Sequence, residues 1–246
     1  MQTLSSQSIV YLWERGLRQH PVERMLTLLA AALPEVPHDD ILALSIGQCD
    51  AYLLLLHEQM FGSRFVGFTQ CSQCQERLEF SFTVTDIWAG AVSVDQVGKV
   101  YSYQVEDYEI QMRLPTLADM LAISERQDVA SARLLLLQRC IVQAIRKGDA
   151  VSVASLPDEV TAVLGEGVLE RDPQAEIQID MTCPRCQYRR PALFDVSRFL
   201  WTEIQAQAKH LLREVHLLAR AYGWREAEIL ALSNIRRQYY LEMVAE

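Results

Sequence analysis

The sequence Cys71-Ser72-Gln73-Cys74 decides how this chain folds, because a second such pair follows far along the chain as Cys183-Pro184-Arg185-Cys186. Two residues between cysteines allow both sulfurs of a pair to bind one metal ion, and a second pair completes a tetrahedron of sulfurs. Four protein ligands leave no coordination position open for water or substrate. The two pairs therefore predict a single structural Zn²⁺ ion that is bound by all four cysteines.

Other interpretations of these cysteines stay open. A zinc ribbon usually keeps its two pairs about 15–20 residues apart, whereas more than a hundred residues separate Cys74 from Cys183. The pairs could instead form two dithiols or disulfides, bind independent metal ions, or bind none. A thioredoxin-like pair should open a helix, but the alternating residues 76–84 predict a strand after the first pair. We therefore favour one shared site, with Cys49 and Cys140 as small core residues.

Alternating apolar residues predict strands on both sides of the first cysteine pair. Residues 65–69 lead into the pair and residues 78–84 lead away from it, which places the pair at the tip of a hairpin. A strand at 177–181 likewise runs into the second pair. Two further strands are predicted at 100–105 and 108–114, and we expect one small antiparallel sheet that carries the metal at its edge.

Much of the remaining chain has helical patterning. Ser45 is placed to cap a helix over residues 46–61, and Gly62 follows where a C-terminal glycine is expected. Apolar residues at helical spacing predict a helix of about twenty residues around 129–146. A similar apolar stripe predicts a long helix between Leu200 and Tyr222.

These patterns predict an α+β fold, mostly α-helical, with a small antiparallel β zinc-ribbon module formed by the two distant Cys-x-x-Cys pairs. We expect the chain to divide into four regions. These are an N-terminal helical region (1–62), the β zinc-ribbon module (63–115 plus 174–195), a helical insertion (116–173) and a C-terminal helical region (196–246).

Composition argues against several functional classes. The formal net charge is −9, and nucleic-acid affinity rests on contacts between cations and phosphates. No stretch approaches the ~20 apolar residues of a membrane span, so we expect no direct membrane insertion. The N-terminus has no signal-peptide pattern, and the paired cysteines are typical of a reducing compartment. We therefore expect a cytoplasmic protein.

The sequence offers little for catalysis. It contains no glycine-rich phosphate loop, no Gly-x-Ser-x-Gly motif and no His-Glu-x-x-His pair. His210 and His216 lie six residues apart and do not share a helix face. We expect four glutamates on solvated helix faces, namely Glu203, Glu214, Glu226 and Glu228. We expect no enzymatic activity and no catalytic or cofactor-binding residue.

Four side chains around the second pair resemble the tip of a nucleic-acid-binding ribbon, namely Arg185, Tyr188, Arg189 and Arg190. We favour ion pairs between these arginines and the acidic body of the chain or a protein partner, and a nucleic-acid-binding zinc ribbon is the alternative function. The helical tail is rich in Trp, Tyr and Arg, residues that concentrate binding energy at interfaces. It is therefore the predicted interaction surface.

Several segments occur in an order that resembles a known family. Besides the two cysteine pairs, they are residues 44–54, 61–62, 78–80, 113–119, 194–195, 199–203, 212–224, 226–233 and 240–241. Together they resemble the baseplate proteins of contractile phage tails and phage-tail-like injection systems, near the phage T4-type baseplate hub and hub-assembly chaperone family. The C-terminal helical segment is the more specific part of this resemblance.

The resemblance implies a non-enzymatic component of a baseplate that is built into the hub or wedge, or helps it assemble. Its partners would be hub, spike or wedge subunits, and the four paired cysteines would be its metal ligands. The turn sequences depart from the expected pattern Cys-Pro-x-Cys-Gly, since Ser72, Gln75 and Gln187 stand at positions of proline or glycine. Because glycine relaxes a tight turn, we expect slight strain in both turns.

Overall fold

The computed structural model describes residues 4–89 and 98–245, and these divide into two compact units. The terminal unit combines residues up to 34 with residues from 197 onward. The central unit comprises the described residues between 35 and 196 and contains both cysteine pairs. The fold is mixed α and β and mostly helical, with small antiparallel sheets, as the sequence predicted. The four-region division of the chain stays a prediction.

The terminal unit is helical. Its helices are α1 (Ser6–Gly16), α2 (Pro21–Ala32), α9 (Val196–Tyr222, whose first residue belongs to the central unit), α10 (Glu226–Leu230) and α11 (Asn234–Ala245). Helix α9 is the predicted long C-terminal helix, and its stripe of Leu200, Ile204 and Leu211 is fully buried. No helix among the described residues has the length and apolar character needed to cross a membrane.

A buried ion pair joins α11 to α9. The guanidinium of Arg237 is 2.5 Å from the Glu214 carboxylate, and both side chains are buried. Arg237 also donates hydrogen bonds to Ser6 Oγ and Asn234 Oδ1, so three helices converge on it. The expectation that Glu214 lies on a solvated helix face is therefore wrong, because the C-terminal helix folds back and covers that face of α9.

The central unit alternates helices and strands. In chain order its elements are α3 (His38–Leu42), α4 (Ile46–Phe61), β1 (Arg64–Gln70), β2 (Arg77–Thr83), α5 (Val84–Ile87), β3 (Val100–Val105), β4 (Tyr108–Arg113), α6 (Leu117–Ile123), α7 (Val129–Cys140), β5 (Ile141–Arg146), β6 (Asp149–Ala150), α8 (Asp158–Arg171), β7 (Gln178–Thr182) and β8 (Arg189–Leu193).

Helix α4 begins and ends where the sequence predicted. The Ser45 hydroxyl accepts a hydrogen bond from the Gln48 N–H, and the Gln48 side chain accepts one from the Ser45 N–H. This reciprocal pair is a capping box. At the other end, Gly62 adopts a positive φ of 90°, which a residue with a side chain rarely adopts.

Within residues 4–89 and 98–245, the strands form three separate antiparallel sheets instead of the single sheet that we expected. Strands β1 and β2 form one hairpin, β7 and β8 form a second, and β3, β4, β5 and β6 form a four-stranded sheet in that order. The expectation was wrong because alternation identifies strands without naming their partners. Here β4 pairs with β5, which follows it by about thirty residues, and not with either cysteine hairpin.

The predicted helix around 129–146 is also wrong in its last third. The helix α7 ends at Cys140, and Ile141–Arg146 continues directly as β5 against β4. Residues Leu134, Leu137, Ile141 and Ile145 have helical spacing, but the free edge of β4 provides backbone partners for the last six residues. Tertiary pairing therefore overrides the local pattern, and the predicted helical insertion contains two strands.

The four-stranded sheet has its own apolar core. Tyr108, Ile110 and Met112 alternate along β4 with their side chains on one buried face. Ile141 and Ala144 of β5 join that core, and α8 covers it with Val160 and Leu164. This sheet and its helices occupy the chain between the two cysteine hairpins.

A buried carboxylate holds the end of β4 to α6 and α7. Asp119 lies 2.6 Å from Arg113 and 2.7 Å from Arg139, and it accepts a hydrogen bond from the Thr116 N–H at 2.9 Å. Burial disfavours the charged form of Asp119, but these donors outweigh burial and hold its pKa below the ordinary range.

Replacing this carboxylate should destabilise the central unit. We expect Asp119→Ala to lower the free energy of unfolding by about 2–3 kcal/mol, since two arginines lose their partner and solvent screens part of the loss. Because the pKa of Asp119 is lowered on folding, this contribution is present above about pH 4 and is lost as the pH falls. Denaturant unfolding at pH 7 and at pH 3 measures both effects.

Asp158→Ala provides the control, since Asp158 forms an exposed ion pair with Arg133. It should leave stability almost unchanged. Equal losses for the two variants, or a loss for Asp119→Ala that does not depend on pH, would contradict the assigned role.

Candidate metal centre

The two cysteine pairs occupy equivalent turns at the tips of the two hairpins. In the first turn, the Cys71 N–H donates to the Glu76 carbonyl and the Gln75 N–H donates to the Cys71 carbonyl, both at 2.9 Å. In the second turn, the same two bonds run from Cys183 to Tyr188 and from Gln187 to Cys183, at 3.0 and 2.9 Å. Each turn therefore presents its two sulfurs with the same backbone geometry.

Both turns place a glutamine in a left-handed backbone conformation. Gln75 has a φ of 59° and Gln187 a φ of 58°. Only glycine adopts such values without a steric cost, which is about 1–2 kcal/mol for other residues. These are the positions at which the sequence has glutamine instead of the expected glycine. The left-handed backbone at both glutamines agrees with the strain that we expected in the two turns.

The turns bring the four cysteines together. Cys71 and Cys186 have their sulfurs 3.6 Å apart, and so do Cys74 and Cys183. All four sulfurs lie within 4.8 Å of one another. A tetrahedral ion with metal–sulfur bonds of about 2.3 Å requires sulfur–sulfur separations of about 3.8 Å. The cluster can therefore hold one metal ion, and among the described residues it is the one such group of cysteine, histidine and acidic side chains.

The sulfurs differ in their exposure. The first cysteine of each pair, Cys71 and Cys183, is buried, whereas Cys74 is partly buried and Cys186 is exposed. The buried sulfurs pack with Leu78 and Met181 in a small apolar cluster. So few apolar side chains contribute little hydrophobic stabilisation at the hairpin tips.

Crowding of the thiols favours a cation between them. Backbone N–H groups of Cys74 and Gln73 lower the pKa of Cys71 to about 7. The Tyr188 N–H favours the Cys186 thiolate, but desolvation and the neighbouring sulfurs outweigh it and raise the pKa of Cys186 to about 12. Four thiolates at this spacing repel one another, and a bound divalent ion offsets that repulsion and keeps coordinating thiols deprotonated. The donor set therefore fits a metal.

The bases of the two hairpins meet in an aromatic cluster. Phe194, which follows β8, contacts Phe65 of β1 edge to face at 5.3 Å between ring centroids and Phe82 of β2 at 4.9 Å. The buried ring of His57 stacks on Phe65 at 3.9 Å. The hairpins are thus in contact at their bases through rings and at their tips through sulfurs.

Basic residues around the second turn form ion pairs within the chain. Arg185 lies 3.3 Å from Glu76 in the first turn, and Arg189 lies 3.0 Å from Asp180 on the neighbouring strand. The favoured interpretation of these arginines, pairing with acidic residues of the chain, is therefore confirmed for two of them. Cys49 and Cys140 are buried and lie outside the cluster, as predicted for core residues.

Comparison with known proteins identifies the family of this chain. The model of a family described as T4 bacteriophage base plate protein matches residues 18–201. This chain belongs to that baseplate family. The matched region includes both cysteine pairs and the whole range of the central unit, and the resemblance inferred from the sequence is confirmed at the level of the family. Searches of curated proteins and of solved structures found no significant match.

From the sequence of this baseplate-family protein we predicted the cysteines at the hairpin tips, but not the aromatic contacts at the hairpin bases. Spacing alone was enough to select the four cysteines. Phe194 entered only as part of the family resemblance, and nothing local distinguishes His57 from any other histidine in a helix. The alternation of Phe80 and Phe82 was a signal for a buried strand face, but it could not indicate which distant ring would cover it.

Glycine at the two strained positions should stabilise the central unit. We expect Gln75→Gly and Gln187→Gly each to raise the free energy of unfolding by up to about 1 kcal/mol, because relief of the left-handed conformation exceeds the entropic cost of glycine. Gln73→Gly is the matched control, since it lies in the same turn without a positive φ, and it should be neutral or destabilising. Thermal unfolding of the three variants measures the difference.

Proposed function

We propose that this protein is a non-enzymatic structural or assembly component of a contractile phage-tail-like baseplate, where it scaffolds the hub or wedge through protein–protein contacts. The observation that carries the proposal is the family match over residues 18–201. The four-sulfur cluster is consistent with it, because a site saturated by protein ligands stabilises a fold and offers no position for a substrate.

We propose further that Cys71, Cys74, Cys183 and Cys186 bind one structural Zn²⁺ ion. Soft thiolate ligands in a tetrahedral set select zinc over harder cations such as Mg²⁺ or Ca²⁺. When bound, the ion supplies four metal–sulfur bonds that fasten the two turns to each other. The chain's own contribution is to present the sulfurs, through the paired backbone hydrogen bonds of each turn.

Metal analysis tests the zinc proposal. The purified protein should contain one zinc ion per chain, and Cys71→Ser or Cys183→Ser should lose it and lower the free energy of unfolding by several kcal/mol. Cys49→Ala and Cys140→Ala are controls that should retain one zinc, because neither sulfur belongs to the cluster. Full occupancy in the Cys183→Ser variant would exclude a site shared by the two hairpins.

The predicted interface is the helical tail, and α11 offers an apolar stripe there. Ile235, Tyr239 and Met243 follow one another at intervals of four residues, and each is more than half exposed. The opposite face of α11 carries Arg237, which is buried against α9. An exposed apolar stripe on a helix whose opposite face is already buried is typical of a surface that binds another protein.

An assembly experiment tests the proposed function. In cells that produce the contractile tail, deletion of this protein should prevent complete baseplates from forming, and the wild-type protein should restore them. Tyr239→Glu should reduce co-purification with hub or wedge subunits about tenfold or more, since aromatic anchors often contribute over 1 kcal/mol. Val129→Glu, at another exposed apolar position, should behave as wild type. Normal baseplates in the deletion strain would refute the proposal.

We do not propose nucleic-acid binding as a second function. Two of the arginines that suggested it, Arg185 and Arg189, form ion pairs within the chain, and the net charge is −9. The same purified protein tests this alternative directly, because salt-sensitive retention of DNA or RNA would support it.

A further inference from the structure

A groove lies between the two cysteine hairpins, in the stretch between the contacts at their tips and those at their bases. Its volume is about 770 Å³, and it is lined on one side by residues 77–82 of β2 and on the other by residues 179–182 of β7. Each hairpin is a sheet of two strands. Within the part of the chain that the structure describes, β2 and β7 belong to different sheets. Both strands therefore turn an unpaired edge to this groove.

The register of the first hairpin shows which backbone groups point into the groove. In an antiparallel pair, successive residues direct their N–H and C=O alternately toward the partner strand and away from it. The hydrogen bond between Cys71 and Glu76 sets this alternation. By that count, Arg77, Glu79 and Ser81 direct their backbone groups away from β1.

The second hairpin has the same alternation. Its phase is set by hydrogen bonds at both ends, from Cys183 to Tyr188 and from Phe194 to Ile177. Gln178, Asp180 and Thr182 of β7 therefore direct their backbone groups away from β8.

Proline protects the opposite edge of the second hairpin. Pro191 pairs with Asp180, so its nitrogen lies on the outer edge of β8, where it has no N–H to offer another strand. Proline at such a position blocks edge-to-edge pairing. Strand addition is therefore hindered at the outer edge of β8, whereas the edge of β7 that faces the groove carries no proline.

The groove also has a defined chemical character. The inner faces of the two strands contribute apolar side chains such as Leu78, Ile179 and Met181. Its charged lining residues are Glu79, Asp86, Asp180 and a single cation, Arg77, whose guanidinium lies 3.7 Å from the Phe68 ring centroid. Asp180 also forms an ion pair with Arg189, and with that cation counted the acidic side chains still outnumber the basic ones by three to two. Such a lining complements a segment that alternates apolar and cationic residues.

We propose that this groove binds one extended segment of another baseplate protein, with alternating apolar and cationic side chains, as an added strand between β2 and β7. The added strand would join the two hairpins into one five-stranded sheet, a mode of recognition in which the backbone gives affinity and alternate side chains give specificity. The inference rests on the proposed function, because it takes the partner from the same assembly.

Site-specific photocrosslinking in assembled baseplates tests the inference. A photoreactive phenylalanine analogue replaces Ser81 in the groove or, as a matched control, Val66, which lies on the outer edge of the same hairpin and is exposed. Mass spectrometry of the products should identify, for position 81, a segment of a different baseplate protein that contains lysine or arginine alternating with apolar residues. Position 66 should not crosslink to that segment.

Charge reversal provides an independent measurement. The double variant Glu79→Lys with Asp180→Lys should reduce retention of the crosslinked partner about tenfold or more, because like charges would face each other in the groove. Glu109→Lys, at an exposed strand position outside the groove, should retain the partner as wild type does.

The outcomes separate the two proposals. If the protein is present in baseplates but position 81 crosslinks to its own chain, to a second copy or to an acidic segment, or gives no product, the groove inference is wrong and the proposed function stands. If the protein is absent from baseplates and from their assembly intermediates, the proposed function fails and this inference fails with it.

Discussion

The central unit depends on the joining of two short hairpins that are distant in sequence. Their tips meet through four sulfurs within 4.8 Å, and their bases meet through the rings of Phe65, Phe82 and Phe194. The entropic cost of closing a loop grows only slowly with its length. A four-stranded sheet and its helices can therefore lie between the hairpins without preventing the closure. Contact at both ends fixes the two hairpins more firmly than either contact alone.

The two hairpins are small and have little apolar core of their own at their tips. A sheet of two strands is marginally stable by itself, and among the described residues the apolar cluster at the sulfurs adds just Leu78 and Met181. Metal–sulfur bonds would replace the missing core, as they do in other small metal-stabilised folds. Because each hairpin has two strands, β2 and β7 each keep one edge without a partner strand among the described residues. The hairpins touch at their tips and bases, and the groove between β2 and β7 lies between those two contacts.

Features set by neighbours in sequence were predictable, whereas features set by distant partners were not. Helix α4 was predicted because Ser45 and Gly62 act on backbone groups within one turn of themselves. The four cysteines were selected because a spacing of two residues brings both sulfurs of a pair to one side of a turn. The boundary between α7 and β5 was missed, since Ile141 and Ile145 fit a helical stripe and only the edge of β4 makes them a strand. Glu214 was placed on a solvated face because its partner, Arg237, lies 23 residues further along the chain.

The sequence alone determined which four cysteines come together, that the fold is mixed and mostly helical, and which family the chain resembles. Caps, turn residues and ligand spacing act over a few bonds, and their effect can be read directly from residue order. The tertiary structure decided how the strands are grouped, where Asp119 and Arg237 find their partners, and that two hairpin edges face each other across a groove. Those outcomes depend on which surfaces meet once the chain has closed on itself, because a strand edge or a buried charge accepts any suitable partner that packing brings within reach.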